Sequence, residues 1–229
     1  MGSNRQNREE YKQYKYQIMA RYTGPREKIE RRLKTKLFLK GERSLSPKSA
    51  TVKRMYPPGV HGKKFAGRMS EFGQQLQSKQ KVRKAYRLME KQFKSLVKDA
   101  IFGKTESTIA IVTKLERRLD NTIYRSGFAQ SRDQARQIVN HGHITVNDKK
   151  VSIPSYQVKT GDVVKVREGS QRSKYFSALV PQWIKKHQPP RWIELDANHI
   201  TAKISGIPTL DESGIEMKDI QSLIEFYSR

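Results

Sequence analysis

Charge, and where it falls, constrains this sequence more than any other feature. The first 98 of its 229 residues hold 27 Lys/Arg against 7 Asp/Glu, while residues 99–229 hold 20 against 15. The formal net charge is +25 and the sequence pI about 10.2. A compact body so charged repels itself unless a polyanion neutralises it. The first part therefore reads as a polyanion-binding surface more than a self-sufficient globule. For residues 1–60 a disordered basic tail is the alternative, weakened further along by apolar periodicity. RNA, DNA and anionic membrane are the candidate partners. No run approaches 18 apolar residues, which excludes a spanning helix, and no signal-peptide core follows Met1. Cysteine is absent, which removes disulfides, thiol catalysis and every cysteine-based zinc site, and fits a reducing compartment.

Residues 1–18 are polar, lack an apolar face and read as a flexible extension; Glu9 and Glu10 argue against an organelle transit peptide. The segment Tyr56-Pro57-Pro58-Gly59-Val60-His61-Gly62-Lys63-Lys64 is a loop, because two prolines fix φ and two glycines permit close backbone approach. It either lays amides and lysines against phosphates or is an ordinary linker. Residues 71–102 read as one or two helices. Val82, Tyr86, Met89, Phe93 and Val97 form one stripe, and Lys84, Arg87, Lys91, Lys94 and Lys98 another, interrupted only by Glu90 and Asp99. The cation stripe points to phosphate contact.

A denser module spans residues 115–168. Leu115, Leu119 and Ile123 give a helical stripe, and Ser131-x-x-Gln134 has capping-box spacing for a second helix with Ala135, Ile138 and Val139 inward. Gly142 stops it, and period-two segments follow around an Asn147-Asp148 turn and at Val163–Val166. Arg117 and Arg118 on the first helix, with Arg132 and Arg136 on the second, are expected to present guanidinium forks to phosphate. From Trp192 onward the balance reverses to 3 Lys/Arg and 7 Asp/Glu, so this end is expected to pack back on the protein through Ile220, Leu223, Ile224 and Phe226.

Several stretches carry a resemblance: Met19-Ala20-Arg21-Tyr22-Thr23-Gly24-Pro25, Lys36–Arg43, Tyr56–Gly62, Glu71-Phe72-Gly73, Lys79–Arg83, Leu115–Asn121, Ser131–Arg136, His141–Asn147, Ile153–Val158 and Ile224–Arg229. From Met19 to Arg229 the sequence resembles the bacterial small-subunit ribosomal protein S-four family. The resemblance implies an α+β protein: a mainly helical first domain with an inserted small RNA-binding module of two helices plus a small antiparallel sheet. Its expected parts are a basic extension at 1–18, a helical basic domain at 19–114, the module at 115–178, and a segment at 179–229 returning to the helical domain. It implies binding to small-subunit ribosomal RNA at a multi-helix junction early in assembly, neighbouring small-subunit ribosomal proteins as partners, a place on the path by which mRNA enters, a cytoplasmic ribosomal location and no membrane. The expected RNA contacts are Arg21, Tyr22, Lys63, Lys64, Lys79, Lys81, Arg83, Lys84, Arg87, Arg117, Arg118, Ser131, Arg132, Arg136, His141 and Lys149.

In one respect the chain departs from that pattern. Many members hold zinc with four cysteines, and the corresponding positions here are Glu27, Glu30, Ser44 and Ser49. Serines are poor zinc ligands, so no metal and no cofactor are expected, and the 27–49 loop is expected to be held by ion pairs and by RNA. Enzyme readings are weaker. His61, His141 and His143 lack an acid–base partner in spacing, and no GxxxxGK[ST] loop is present. Arg118-Leu119-Asp120 echoes pseudouridine synthases, but three residues are weak, and Asp120 is expected to bond locally. Tyrosyl-transfer-RNA synthetases also use such a module, but together with a nucleotide-binding fold whose pattern is missing here. A DNA-binding or chaperone-like basic protein remains as a third class, separable by affinity for structured RNA over duplex DNA at fixed salt.

Overall fold

The computed structural model describes residues 22–64 and 67–228; the expected extension at 1–18 and Arg21 lie outside them. The described chain runs α1 (Arg26–Leu33), a 3-10 turn (Gly41–Ser44), α2 (Ala50–Lys53), α3 (Glu71–Ala85), α4 (Glu90–Ile101), α5 (Ser107–Glu116), α6 (Leu119–Arg125), α7 (Arg132–Asn140), β1 (Ile144–Val146), β2 (Lys149–Lys150) and β3 (Val163–Val166). It continues through α8 (Glu168–Gln171), a π turn (Tyr175–Leu179), α9 (Val180–Ile184), β4 (Ile193–Asp196), β5 (Thr201–Ile204), α10 (Leu210–Ser213) and α11 (Met217–Ser228). The class is α+β.

Two main cores follow from apolar periodicity. In the helical core, Val82, Tyr86, Phe93, Val97, Ile111 and Leu115 meet Ile220, Leu223 and Tyr227 of α11. These residues recur at three- and four-residue steps, so each helix turns one apolar face inward. The second core gathers Leu119, Ile123, Phe128, Ala135, Val139, Ile144, Val164, Val166, Phe176, Trp192, Ala202 and Ile204 against an antiparallel sheet ordered β2-β1-β3-β5-β4. Its register sets Ile144 opposite Val166 and Val164 opposite Ala202, so period-two side chains share one face. A third, small cluster joins Ile29 and Leu33 of α1 to Leu39.

Local chemistry explains the element ends. Ser70 caps α3, its Oγ accepting from Gly73 N at 3.2 Å. Ser131 caps α7 by accepting from Gln134 N at 3.4 Å, but the return arm of the expected box lands one residue early, Gln134 Oε1 accepting from Gln130 N at 3.0 Å. Asn147 and Asp148 have φ of +49° and +64°, the mirror-image turn that suits a two-residue hairpin. The strand after it is only Lys149–Lys150, and Val151 and Ile153 lie beyond it.

Three expectations need correction. Leu115, Leu119 and Ile123 are all buried, but not on one helix. The chain breaks at Arg117–Arg118, where Arg118 is extended (ψ 135°) and Leu119 N donates to Tyr156 O at 2.8 Å. Leu115 therefore lies in the helical core, and the other two in the sheet core. The segment 179–229 does not return as one piece either. Trp192, Ile193, Ala202 and Ile204 are buried in the sheet core, and β4 and β5 extend the module's sheet through the β3–β5 pairing. Only α10 and α11 pack on the helical core. Arg87 leaves the cation stripe, because α3 ends at Ala85 and Arg87 turns back with φ +58°. Its side chain is buried.

Candidate nucleic-acid interface

A basic chain must first dispose of its own charge, and much of the expected interface does so internally. The joint between the two cores is built on Glu116, 1% exposed. Its carboxylate accepts from Tyr86 Oη at 2.5 Å, from Asn121 Nδ2 at 2.8 Å, and from Arg125 Nε and Nη2 at 2.9 and 2.8 Å. Burial pushes this carboxyl upward, but the Arg125 fork and its other donors outweigh it, so the net shift is downward. Tyr86 belongs to the helical core, and Asn121 and Arg125 to α6, so one side chain ties both.

The module's guanidinium groups are likewise engaged within the protein. Arg118 forks onto Asp120 at 3.1 and 2.7 Å, and Arg136 stands 3.7 Å from the same carboxylate. Both arginines are buried, and Asp120 bonds locally as the sequence suggests. Arg132 lies between the rings of Tyr86 and Tyr124, 4.6 and 4.5 Å from their centroids, and donates to Asn121 Oδ1 at 2.8 Å. Half-buried between a ring of each core, Arg132 acts as a strut between domains. Arg117 is half-buried and donates to Thr160 Oγ1 at 2.9 Å. Arg87 Nε and Arg26 Nε both reach Asp133, each at 2.8 Å, and Arg87 Nη2 donates to Tyr22 O at 3.0 Å. The expectation that Arg118 and Arg136 present forks outward is corrected by their burial, while half-buried Arg132 is engaged by the two rings and Asn121. A buried guanidinium needs a counter-charge or acceptors, and acids lie within reach.

On α3 the compensating acids come from elsewhere in the chain. Lys79 and Arg83 pair with Glu90 at 2.6 and 3.0 Å, and Tyr227 Oη donates to Glu90 at 3.1 Å. Lys81 pairs with Glu216 and Asp219 of the α11 region, each at 2.7 Å. Lys79 is buried under the Phe226 ring at 4.6 Å. Ser131 is spent as the α7 cap.

What faces outward is a different set. Lys91, Lys94 and Lys98 of α4 are exposed, opposite buried Phe93, Val97 and Ala100, and have no ion pair among the described residues. They span about 10 Å along one helix face at about 1.5 Å per residue. The sequence sets them in the cation stripe, and their phase against Phe93 and Val97 is the signal that singles them out. Lys63, Lys64, His141 and Lys149 are exposed too. Lys84 is half-buried over the Tyr22 ring at 4.7 Å.

The 56–64 loop is built rather than loose. Arg31 Nε donates to Tyr56 O at 3.1 Å and stacks over the Tyr56 ring at 5.0 Å. Gly62 N donates to Gly59 O at 3.2 Å, and a Cβ at Gly62 would lie 1.9 Å from Pro57 O. The loop thus closes on itself and turns Lys63 and Lys64 outward.

At Glu27, Glu30, Ser44 and Ser49, the four positions that the resemblance sets against cysteines, the side chains bond separately. Glu30, 1% exposed, accepts from Leu37 N and Leu39 N at 3.2 and 3.1 Å. Ser44 Oγ accepts from Lys40 N at 3.2 Å, Ser49 Oγ meets Thr51 Oγ1 at 2.8 Å, and Glu27 pairs with Lys40 at 3.2 Å. Backbone amides on a carboxylate, more than ion pairs, order this loop. Among the described residues no group of three His, Cys, Asp or Glu could hold a metal ion, and no helix is long and apolar enough to cross a membrane.

Residues 21–116 match the family model described as the Ribosomal protein S4/S9 N-terminal domain, and residues 117–164 match that of the S4 domain. The boundary falls at the α5–α6 break beside Glu116. The chain is 44% identical over 211 residues to the small ribosomal subunit protein uS4 of Syntrophobacter fumaroxidans, covering 92% of this chain and 100% of that one. Those of Clostridioides difficile and Thermotoga petrophila are also 44% identical over 211 residues, with the same coverage.

Proposed function

The chain belongs to the uS4 family of small-ribosomal-subunit proteins, and we infer from that membership that it is a structural constituent of the small subunit, bound to small-subunit rRNA and neighbouring ribosomal proteins. Its work is to hold RNA rather than to transform a substrate. The rRNA site is a junction where several helices converge, engaged early in assembly, and the same position puts the protein beside the path by which mRNA enters. The observation that carries the contact assignment is the exposed face of Lys91, Lys94 and Lys98, none of them in an ion pair among the described residues, together with Lys63 and Lys64 on their closed loop. Cations that the protein's own acids leave unpaired are the ones that can exchange counterions for phosphates. Lys149 and His141 extend the surface onto the module. Arg118, Arg132 and Arg136 support it from within by fixing how the two cores meet.

The membership is tested by co-sedimentation of the protein with small subunits in a cell lysate. The contact assignment is tested by filter binding to the rRNA junction over a salt series. Removing one phosphate-bound cation should reduce the log–log salt slope by about 0.7–0.9. Replacing Lys91, Lys94 and Lys98 with alanine is therefore expected to lower the slope by roughly 2–3. An unchanged slope would remove this face from the interface.

A further inference from the structure

Between α1 and α3 lies a notch that the contacts above do not use. Its volume is about 530 Å³. Lys28 and Arg32 of α1 line one wall, Arg83 and Lys84 of α3 the other, with Gln80 and Tyr22 completing it. No carboxylate lines it. Lys28 and Arg32 are four residues apart, where like charges destabilise a helix. They are exposed and have no ion pair among the described residues. Arg83 is half engaged by Gln80 Oε1 and by Glu90, but Glu90 is shared with Lys79. Lys84 rests on an aromatic face with no acid partner among the described residues. A protein that neutralises so many other cations with its own acids leaves three of these four, Lys28, Arg32 and Lys84, without one. The missing counter-charge is of a kind that three convergent cations beside Arg83 suit: a tetrahedral anion with several acceptor oxygens.

We propose that the α1–α3 notch is a phosphate-group site, closed by Lys28 and Arg32 from one side and Arg83 and Lys84 from the other. The phosphate comes either from an RNA backbone or from a free phosphate compound. Only the first source rests on the rRNA reading above. A supporting sign is that Lys84 is pushed down to about 8, by burial first and then by Arg83 and Arg87. An anion in the notch removes that strain by offsetting the crowded charge.

The experiment is acylation of the full chain by acetic anhydride at pH 8, read at Lys84 by mass spectrometry, with exposed Lys218, which is assigned no RNA contact, as the reference amine. An amine pushed down to about 8 is about half unprotonated there, and one restored toward the ordinary 10.5 is well under one per cent so. Two arms add inorganic pyrophosphate alone or the rRNA junction transcript. At least tenfold protection of Lys84 relative to Lys218 is expected in one arm or both. Protection by pyrophosphate supports the site without reference to RNA. Protection by the transcript alone supports a backbone source, provided that it is lost in Lys28→Ala/Arg32→Ala, two exposed changes whose fold is checked by circular dichroism. The proposal is overturned if neither arm protects Lys84, or if the double variant is protected as well as the parent. Failure of the membership test would leave the pyrophosphate arm standing, so the two readings fail separately.

Discussion

Replacing Glu116 with glutamine keeps its shape and removes its charge, which isolates what the joint between the two cores contributes. The carboxylate accepts four hydrogen bonds, two of them from the Arg125 fork. Arg125 keeps only 19% of its side chain exposed, so solvent replaces the missing acceptor only in part. Breaking a buried pair while leaving one charge behind costs about 3–5 kcal/mol. Because Ser213 O also accepts from Arg125 at 2.7 Å, the lower end, about 3 kcal/mol, is expected. For a chain of this length that is roughly 6–12 °C in melting temperature. The sign of the pH dependence follows from the lowered Glu116 carboxyl. A depressed native value contributes stability that is present above the unfolded value, near 4.5, and is lost as pH falls through the native one. Glutamine contributes none, so the gap between parent and Glu116→Gln should be widest near neutrality and close below about pH 4.5. Urea unfolding provides the assay. Trp183 and Trp192 both pack on the sheet core, so fluorescence reports the module, while far-ultraviolet circular dichroism reports all the helices. A gap under about 1 kcal/mol at neutral pH, the worth of one ordinary hydrogen bond, would refute the account of the joint. So would a gap that stays constant from pH 7 to 3.

The other predictions concern single contacts. Asp133→Ala leaves Arg87 buried without its acid and should destabilise the protein by about 3–5 kcal/mol, with earlier proteolysis around residues 22–33. Cleavage and unfolding like those of the parent would count against the strut. Arg132→Ala removes two ring contacts and a hydrogen bond, so urea unfolding should show a loss of about 2–3 kcal/mol. Its salt slope for RNA should stay near that of the parent once folding is complete, and a fall of about one unit would instead make Arg132 a phosphate contact. Gly62→Ala drives a Cβ against Pro57 O and should weaken RNA binding with little change in global stability. Equal affinity would show that the loop's closed form is not what RNA meets.

How far the sequence could be read depended on whether one periodicity held across an element. In α4 it did: Phe93 and Val97 set the phase, and Lys91, Lys94 and Lys98 fell outside as the pattern required. For Arg87 it failed, because the helix stopped at Ala85 and a left-handed residue redirected the side chain toward Asp133, 46 positions away. Arg132 and Arg136 have the spacing of an exposed pair, and only tertiary neighbours turn them inward. Tyr86, Tyr124 and Asp120 are each separately unremarkable in sequence. The acidic bias after Trp192 suggested packing back on the protein, and Glu216 and Asp219 pair there with Lys81. It also masked the alternation at Ala202 and Ile204 that builds β5, because charge counts average over the period-two signal. The fold class survived these errors since both cores were written in their apolar residues. The inward-facing cations could not be read, because pairing depends on distances that a linear pattern does not contain.

The order in which the chain is synthesised gives the α3–α11 contact one more meaning. Lys79, Lys81 and the apolar face around Val82 leave the ribosome that makes them well before Asp219, Ile220, Leu223 and Tyr227 do. A released chain cut short just before residue 210 therefore has every strand of its sheet core but lacks the helix that covers the helical layer. Truncated products should be recognisable to proteases and chaperones by that layer alone. The last helix works as a seal of completion, covering Lys79, pairing Lys81 and closing the apolar face around Val82 only in a chain translated past the module.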